Sequence, residues 1–122
     1  MESSANSIMK IYASTTDKIG MRLLYEYVVN LARVRGIAGV TVYRGIMGYG
    51  RSSTISSSKF WELTEKLPVV VEIIDSTVVL EDFYRILEPD LLKMPKGCLV
   101  TFDPVTIRLL KAGMGAEGKD ES

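Results

Sequence analysis

The residues best placed to do chemistry form one run, Arg44-Gly-Ile-Met-Gly-Tyr-Gly-Arg51, followed by a hydroxyl-rich stretch holding Ser52, Ser53, Thr54, Ser56, Ser57 and Ser58, with Lys59 at its end. Glycines at 45, 48 and 50 permit positive φ and let backbone approach a ligand closely. Backbone N–H groups exposed in this way, with Arg44, Arg51 and Lys59 nearby, suit an anion such as a phosphate. The same residues also fit a bulged strand end followed by a solvated loop. The spacing is neither a Walker A loop nor a dinucleotide-binding fingerprint. A second basic, turn-forming segment is Lys93-Met-Pro-Lys-Gly97, where Lys93 and Lys96 either close over phosphates or solubilise an ordinary connection.

What is missing narrows the chemistry further. The chain has no histidine and one cysteine, Cys98. The commonest general base and the commonest transition-metal ligand are therefore absent, and a structural zinc site has no ligand set. A nucleophilic serine in the loop needs a base, and Lys59 is the only basic side chain close in sequence. A small enzyme using the loop serines, Asp75, Glu72 or Tyr49 stays as the alternative, but no catalytic residue and no metal ligand is assigned. With 15 basic and 15 acidic side chains, the net charge is zero, so no general field attracts nucleic acid or membrane. Tyr12, Tyr43 and Phe102 are strand aromatics without the basic-aromatic signature of an RNA-binding sheet. Cys98 reads as a small buried hydrophobe, and a lone cysteine fits a reducing compartment. No apolar run reaches a membrane span, no signal-peptide layout opens the chain, and a cytoplasmic location is expected.

The elements that must position these segments follow from periodicity. Residues 1–7 read as a disordered leader, 8–112 as one domain and 113–122 as a disordered, glycine-rich and charged tail. Ile8–Ala13 is a strand and Asp17–Gly20 a turn. A helix is expected over Met21–Arg35, with Met21, Leu24, Tyr25, Val28, Leu31 and Ala32 on one stripe. Gly36 supplies its left-handed stop, while no strong cap marks its start. Val40–Met47 and Pro68–Asp75 are strands. The connection between Tyr49 and Pro68 far exceeds the usual hairpin length of about two to five residues, and Lys59–Leu63 fits a helical turn anchored by Phe60 and Trp61. Ser76 caps a second helix to about Leu92, with Val79, Phe83, Ile86 and Leu87 inward and Pro89 kinking or shortening it. Cys98–Phe102 is the last main strand, and Val105–Leu110 a further short one.

The order β-α-β-β-α-β is the split βαβ signature, and the fold class is α+β: a ferredoxin-like antiparallel sheet with two helices on one face. The third main strand is apolar on both faces, with Val69, Val71 and Ile73 pointing one way and Val70 and Ile74 the other. Two helices cover one face only. Another copy of the chain is the simplest cover for the second, so an oligomer is expected.

Three blocks resemble the domain of unknown function 190 (UPF0166-type) proteins: Leu24-Tyr-Glu26, Ala38-Gly-Val-Thr-Val-Tyr-Arg-Gly-Ile-Met-Gly-Tyr-Gly50, and Leu67-Pro-Val-Val-Val-Glu-Ile-Ile-Asp75. Ser52-Ser53 and Ile55 match as well, and the resemblance spans about residues 8–110. Relatives commonly carry a histidine after the Ser-Ser pair, where this chain has Ser56. That family is similar in fold to PII-type and CutA-type proteins, and the resemblance implies a homotrimer. It also implies an adenine nucleotide as effector, with no cofactor required, bound between subunits by the base of the loop after the second strand and by the loop before the fourth. Gly48-Tyr49-Gly50-Arg51 is similar to the Gly-Phe-Gly-Arg of that loop base, and Ser52 replaces the glutamine after it. Lys93, Lys96 and Gly97 fall where the second loop belongs. The implied ligand-binding set is Arg44, Gly48, Tyr49, Gly50, Arg51, Ser52, Lys93, Lys96 and Gly97. The implied activity is regulatory, with a loop at about 50–66 contacting a protein target such as a membrane transporter. A metal-binding role of the CutA type is the other alternative.

Overall fold

Strand β1 (Asn6–Ser14) alternates strictly. Ser7, Met9 and Ile11 are buried on one face, while Ile8, Lys10 and Tyr12 point to the other. This period of two places β1 in the middle of a sheet with one packed face. The structure, a computed structural model, describes residues 5–49, 56–57 and 66–114. The four-stranded sheet also contains β4 (Gly39–Arg44), β7 (Pro68–Ser76) and β8 (Leu99–Val105), in the order β4-β7-β1-β8. Every neighbouring pair is antiparallel. Smaller pairs are β2 (Lys18–Ile19) with β3 (Arg22–Leu23), and β5 (Met47–Gly48) with β6 (Ser56–Ser57). Helices α1 (Leu24–Val34) and α2 (Thr77–Lys93) pack on one face. The architecture is the expected ferredoxin-like βαββαβ sandwich.

The core lies between that face and the helices. Met9 and Ile11 of β1 and Val71 and Ile73 of β7 meet Leu24, Val28 and Ala32 of α1 and Leu80, Phe83, Leu87 and Leu91 of α2. Fully burying an aliphatic or aromatic side chain of this size contributes about 1.5–3 kcal/mol.

The start of β1 corrects the expected boundary of the leader. Asn6 pairs with Ser76 and Val105 across the sheet, and buried Ser7 bonds through Oγ to Thr77 Oγ1 at 2.6 Å. A hydroxyl partner, not hydrophobicity, brings Ser7 into the fold, so polarity hid it. Residues 1–4 lie outside the described residues.

Helix α1 begins later than Met21, which is 92% exposed. Residues 18–23 fold into the β2–β3 hairpin, turning at Gly20 with φ 64°. No side chain caps the helix. The carbonyl of Asp17 accepts the Leu24 N–H instead, at 2.8 Å, which explains the missing sequence signal. The far end is as expected. Gly36 has φ 76°. Ile37 N–H donates to the Ala32 carbonyl and Gly36 N–H to that of Arg33, a Schellman stop.

Ser76 caps α2 by accepting the Val79 N–H at 3.2 Å. The inward residues are Leu80, Phe83, Leu87 and Leu91, whereas Val79 and Ile86 are not buried, at 40% and 39% exposure. Pro89 does not shorten the helix, which runs on to Lys93. Residues 106–113 form no strand: β8 ends at Val105. Cys98 is exposed, not buried. The suggested turn over Lys59–Leu63 falls outside the described residues, as does the tail from residue 115.

Candidate functional site

Register brings both chemistry-bearing segments to the same end of the sheet. Arg44 pairs with Val69 at the start of β7, and Ser14 pairs with Pro68. Tyr12 pairs with Leu99 at the start of β8, so the Lys93–Cys98 connection emerges at that end too. The segments sit on opposite edges, because β4 and β8 are the outer strands. Three strand spacings separate them, about 14 Å. One chain therefore does not join Arg44, Gly48 and Tyr49 to Lys93, Lys96 and Gly97.

On the β4 edge, the strand breaks after Arg44, and Gly45 N–H donates to the Pro68 carbonyl at 2.8 Å. A Cβ on Gly48 would stand 3.2 Å from Cγ of Pro68. Close packing on that proline ring is thus the local reason for glycine here, and positive φ is not. Tyr49 is 74% exposed, and Arg44 is exposed as well. Gly50, Arg51 and Ser52 lie outside the described residues. Thr15 and Leu67 clamp the two strand ends beneath this loop: Thr15 N–H donates to the Leu67 carbonyl, and Leu67 N–H to Thr15 Oγ1.

On the other side, Lys93 is in the last turn of α2, and Lys96 and Gly97 follow it in an exposed connection. Gly97 has ordinary backbone geometry and open space around its Cα. Lys93, Met94, Pro95 and Lys96 form one wall of a groove of about 590 Å³. The opposite wall is Thr16–Gly20, and Asp90 contributes from α2. In the sequence, 17–20 reads as a turn and Pro89 as a helix disturbance, with no role assigned to Lys18 or Asp90. The Asp-x-x-Gly spacing before α1 was the available signal.

Two carboxylates shape the groove. Buried Asp17 accepts the Ser14 N–H through Oδ2 at 2.9 Å, which locks the hairpin base. Asp90 accepts from the Tyr27 hydroxyl at 2.9 Å, tying α1 to α2. That bond to Asp90, then burial, pushes the Tyr27 phenol above its usual range. The Cys98 thiol is also raised, first by the protein atoms that partly desolvate it and then by Asp17. It stays a thiol, a weak nucleophile, at neutral pH.

The acidic residues weighed for catalysis have structural partners. Asp75 accepts backbone N–H groups from Ala38 and Ser76. Glu72 faces Lys10 and accepts from the Tyr43 hydroxyl. Among the described residues, no group of three or more His, Cys, Asp or Glu could hold a metal ion, and no helix is long and apolar enough to cross a membrane. Tyr12 and Tyr43 are on the open sheet face, while Phe102 packs edge-on against Tyr84 toward the core. The strand aromatics do not share one platform.

Comparison with known proteins agrees with this architecture. The DUF190 family model, described as "Uncharacterized ACR", matches residues 6–107. A UPF0166 protein of Aquifex aeolicus (strain VF5) is 35% identical over 100 residues, covering 82% of this chain and 90% of the relative. A UPF0166 protein of Methanocaldococcus jannaschii is 37% identical over 68 residues, covering 56% and 62%. Among solved structures, the chain is similar to CPII, a nitrogen regulatory PII-like protein from Thiomonas intermedia K12, bound to ADP, AMP and bicarbonate. The TM-score is 0.58 at 10% identity, covering 80% of this chain and 84% of that one. CPII bound to ADP and bicarbonate gives a TM-score of 0.50 at 12% identity, covering 79% and 85%. Those identities speak for the fold alone, whereas the family match spans nearly the whole sheet and both helices: this chain belongs to the DUF190 family, on a PII-like fold.

Proposed function

We propose that this protein is a cytoplasmic, non-enzymatic regulator of the PII-like type. It works as a homotrimer and senses a small anionic effector, an adenine nucleotide, in the clefts between subunits. The observation that carries this reading is the placement of the two basic segments at one end of the sheet on opposite edges. Arg44, Gly48 and Tyr49 of one copy meet Lys93, Lys96 and Gly97 of the next when copies assemble edge to edge. Gly50, Arg51 and Ser52, which follow Tyr49 in the sequence, belong to the same proposed ligand-binding set. The fold shared with CPII, whose structure holds ADP and AMP, supports the choice of nucleotide.

The open sheet face supports assembly. Tyr43, Val70, Tyr12 and Leu99 form a continuous row across all four strands, with no helix above them. A sister copy removes this apolar surface from water. Effector binding would then favour one arrangement of the 50–66 loop, which contacts a protein target such as a transporter. That switch needs only different affinities of effector for the two loop states.

Calorimetry with ATP, ADP and AMP, on protein whose mass is measured by light scattering, tests the reading. Saturable heat from a trimeric species is the expected result. A monomer, or no heat at about 100 μM protein where micromolar binding registers, overturns it.

A further inference from the structure

We infer that the groove between the 16–20 hairpin and the end of α2 takes the effector's phosphate at its lysines and its ribose at Asp90, and that Asp90 separates a nucleotide from a simple anion there. The inference rests on the reading above and adds Lys18, Asp90 and Tyr27 to the site. The groove, about 590 Å³, falls in the range of small-ligand sites. Three lysines line it, Lys18, Lys93 and Lys96, and their ammonium groups favour a phosphate. By themselves they would accept any small polyanion.

Asp90 changes that. It stands one helical turn before Lys93 on the same wall. Its Oδ2 is held by the Tyr27 hydroxyl. Among the described residues, Oδ1 has no hydrogen-bond partner and no buried side-chain oxygen lacks one, so Oδ1 is open to the groove or solvent. A carboxylate fixed there repels a second anion and accepts from a hydroxyl or amine. The fitting ligand is therefore bipolar, with phosphate at the lysines and hydrogen-bond donors at Asp90. A nucleoside phosphate has both ends through its ribose hydroxyls, whereas inorganic pyrophosphate has only the anionic one. The raised Tyr27 phenol keeps its proton across neutral pH, so the carboxylate stays held.

The test is calorimetry of the full-length protein with ADP and with inorganic pyrophosphate. Asp90→Asn should weaken ADP binding about tenfold, the usual worth of losing a charge-assisted bond relative to a neutral one, while pyrophosphate binds as well as before or better. Lys18→Ala should weaken both. An unchanged ADP-to-pyrophosphate ratio in Asp90→Asn overturns this inference and leaves the regulator reading standing. Absence of ADP binding in the unsubstituted protein overturns both. Should Asp90→Asn fail to fold by circular dichroism, Tyr27→Phe decides: it leaves the carboxylate but releases it. Selective loss of ADP affinity then supports the inference, and an unchanged ratio overturns it.

Discussion

Lys10 and Glu72 face each other across β1 and β7, with Nζ and Oε2 4.0 Å apart, on a sheet face that also carries Ile8, Ile74, Val70, Tyr12 and Tyr43, with Thr41, Thr101 and Asp103 on the outer strands. In an isolated chain such a partly exposed pair, with side chains 28% and 25% accessible, contributes about 0–1 kcal/mol. Beneath a sister copy it becomes a buried pair that tolerates neither partner's loss. Val70→Asp, beside this pair, should therefore dissociate the proposed trimer while each subunit keeps its helix content. Sedimentation of the variant at several concentrations checks this. A variant mass identical to that of the unsubstituted protein would count against the open face as the interface.

The Tyr27–Asp90 bond makes stability depend on alkaline pH. Tyr27 is raised chiefly by that bond, and Tyr84 by burial and its bond to Glu88. A raised phenol favours the protonated, folded form. Its stabilisation is complete below the ordinary value of about 10 and is lost as pH climbs through the folded value. Melting temperature should fall from pH 10 upward, and ultraviolet titration should show two tyrosines ionising late. Tyr27→Phe should lower stability by about 1 kcal/mol at pH 7 and remove one late step. Six tyrosines titrating together near pH 10 would contradict the assignment.

Helix α2 offers a clean contrast between neighbouring positions. Leu80 is fully buried against the sheet, and Val79 is 40% exposed. Leu80→Ala should cost about 2–5 kcal/mol, while Val79→Ala should cost well under half as much. Urea unfolding measures both, and equal penalties would mean that the helix is rotated from the orientation described.

Cys98 should react with a disulfide reagent in the folded protein, because it is exposed. Its rate should keep rising beyond the ordinary thiol range, since desolvation and Asp17 hold the proton on. A rate already at its plateau near pH 8 would show a lowered thiol instead.

Much of the fold was legible because strand periodicity is local. The strict alternation of Met9 and Ile11 against Ile8 and Lys10, and the alternation through Val69, Val71 and Ile73, name the packed face without further information. Gly36 announced the end of α1 in the same way, through a conformation that suits glycine. Signals failed where the partner was distant. Met21 fits the helical stripe, yet the Asp17 carbonyl starts the helix at Leu24. Val79 and Leu80 are both apolar, and only the position of the sheet decides which turns inward.

The site divided along the same line. Residue types singled out the glycine and arginine run and the Lys93–Gly97 segment as candidates, since phosphate chemistry needs cations and close backbone, and the family resemblance is what chose them over an ordinary solvated loop. Order along the chain also settled βαββαβ, because hydrophobic period and turn residues act between near neighbours. Tertiary structure alone decided that the two segments share one end of the sheet but opposite edges, and that Tyr27 holds Asp90 in the groove that Lys18 also lines. Those facts depend on strand order and on contacts 63 residues apart, which arise only when the core closes.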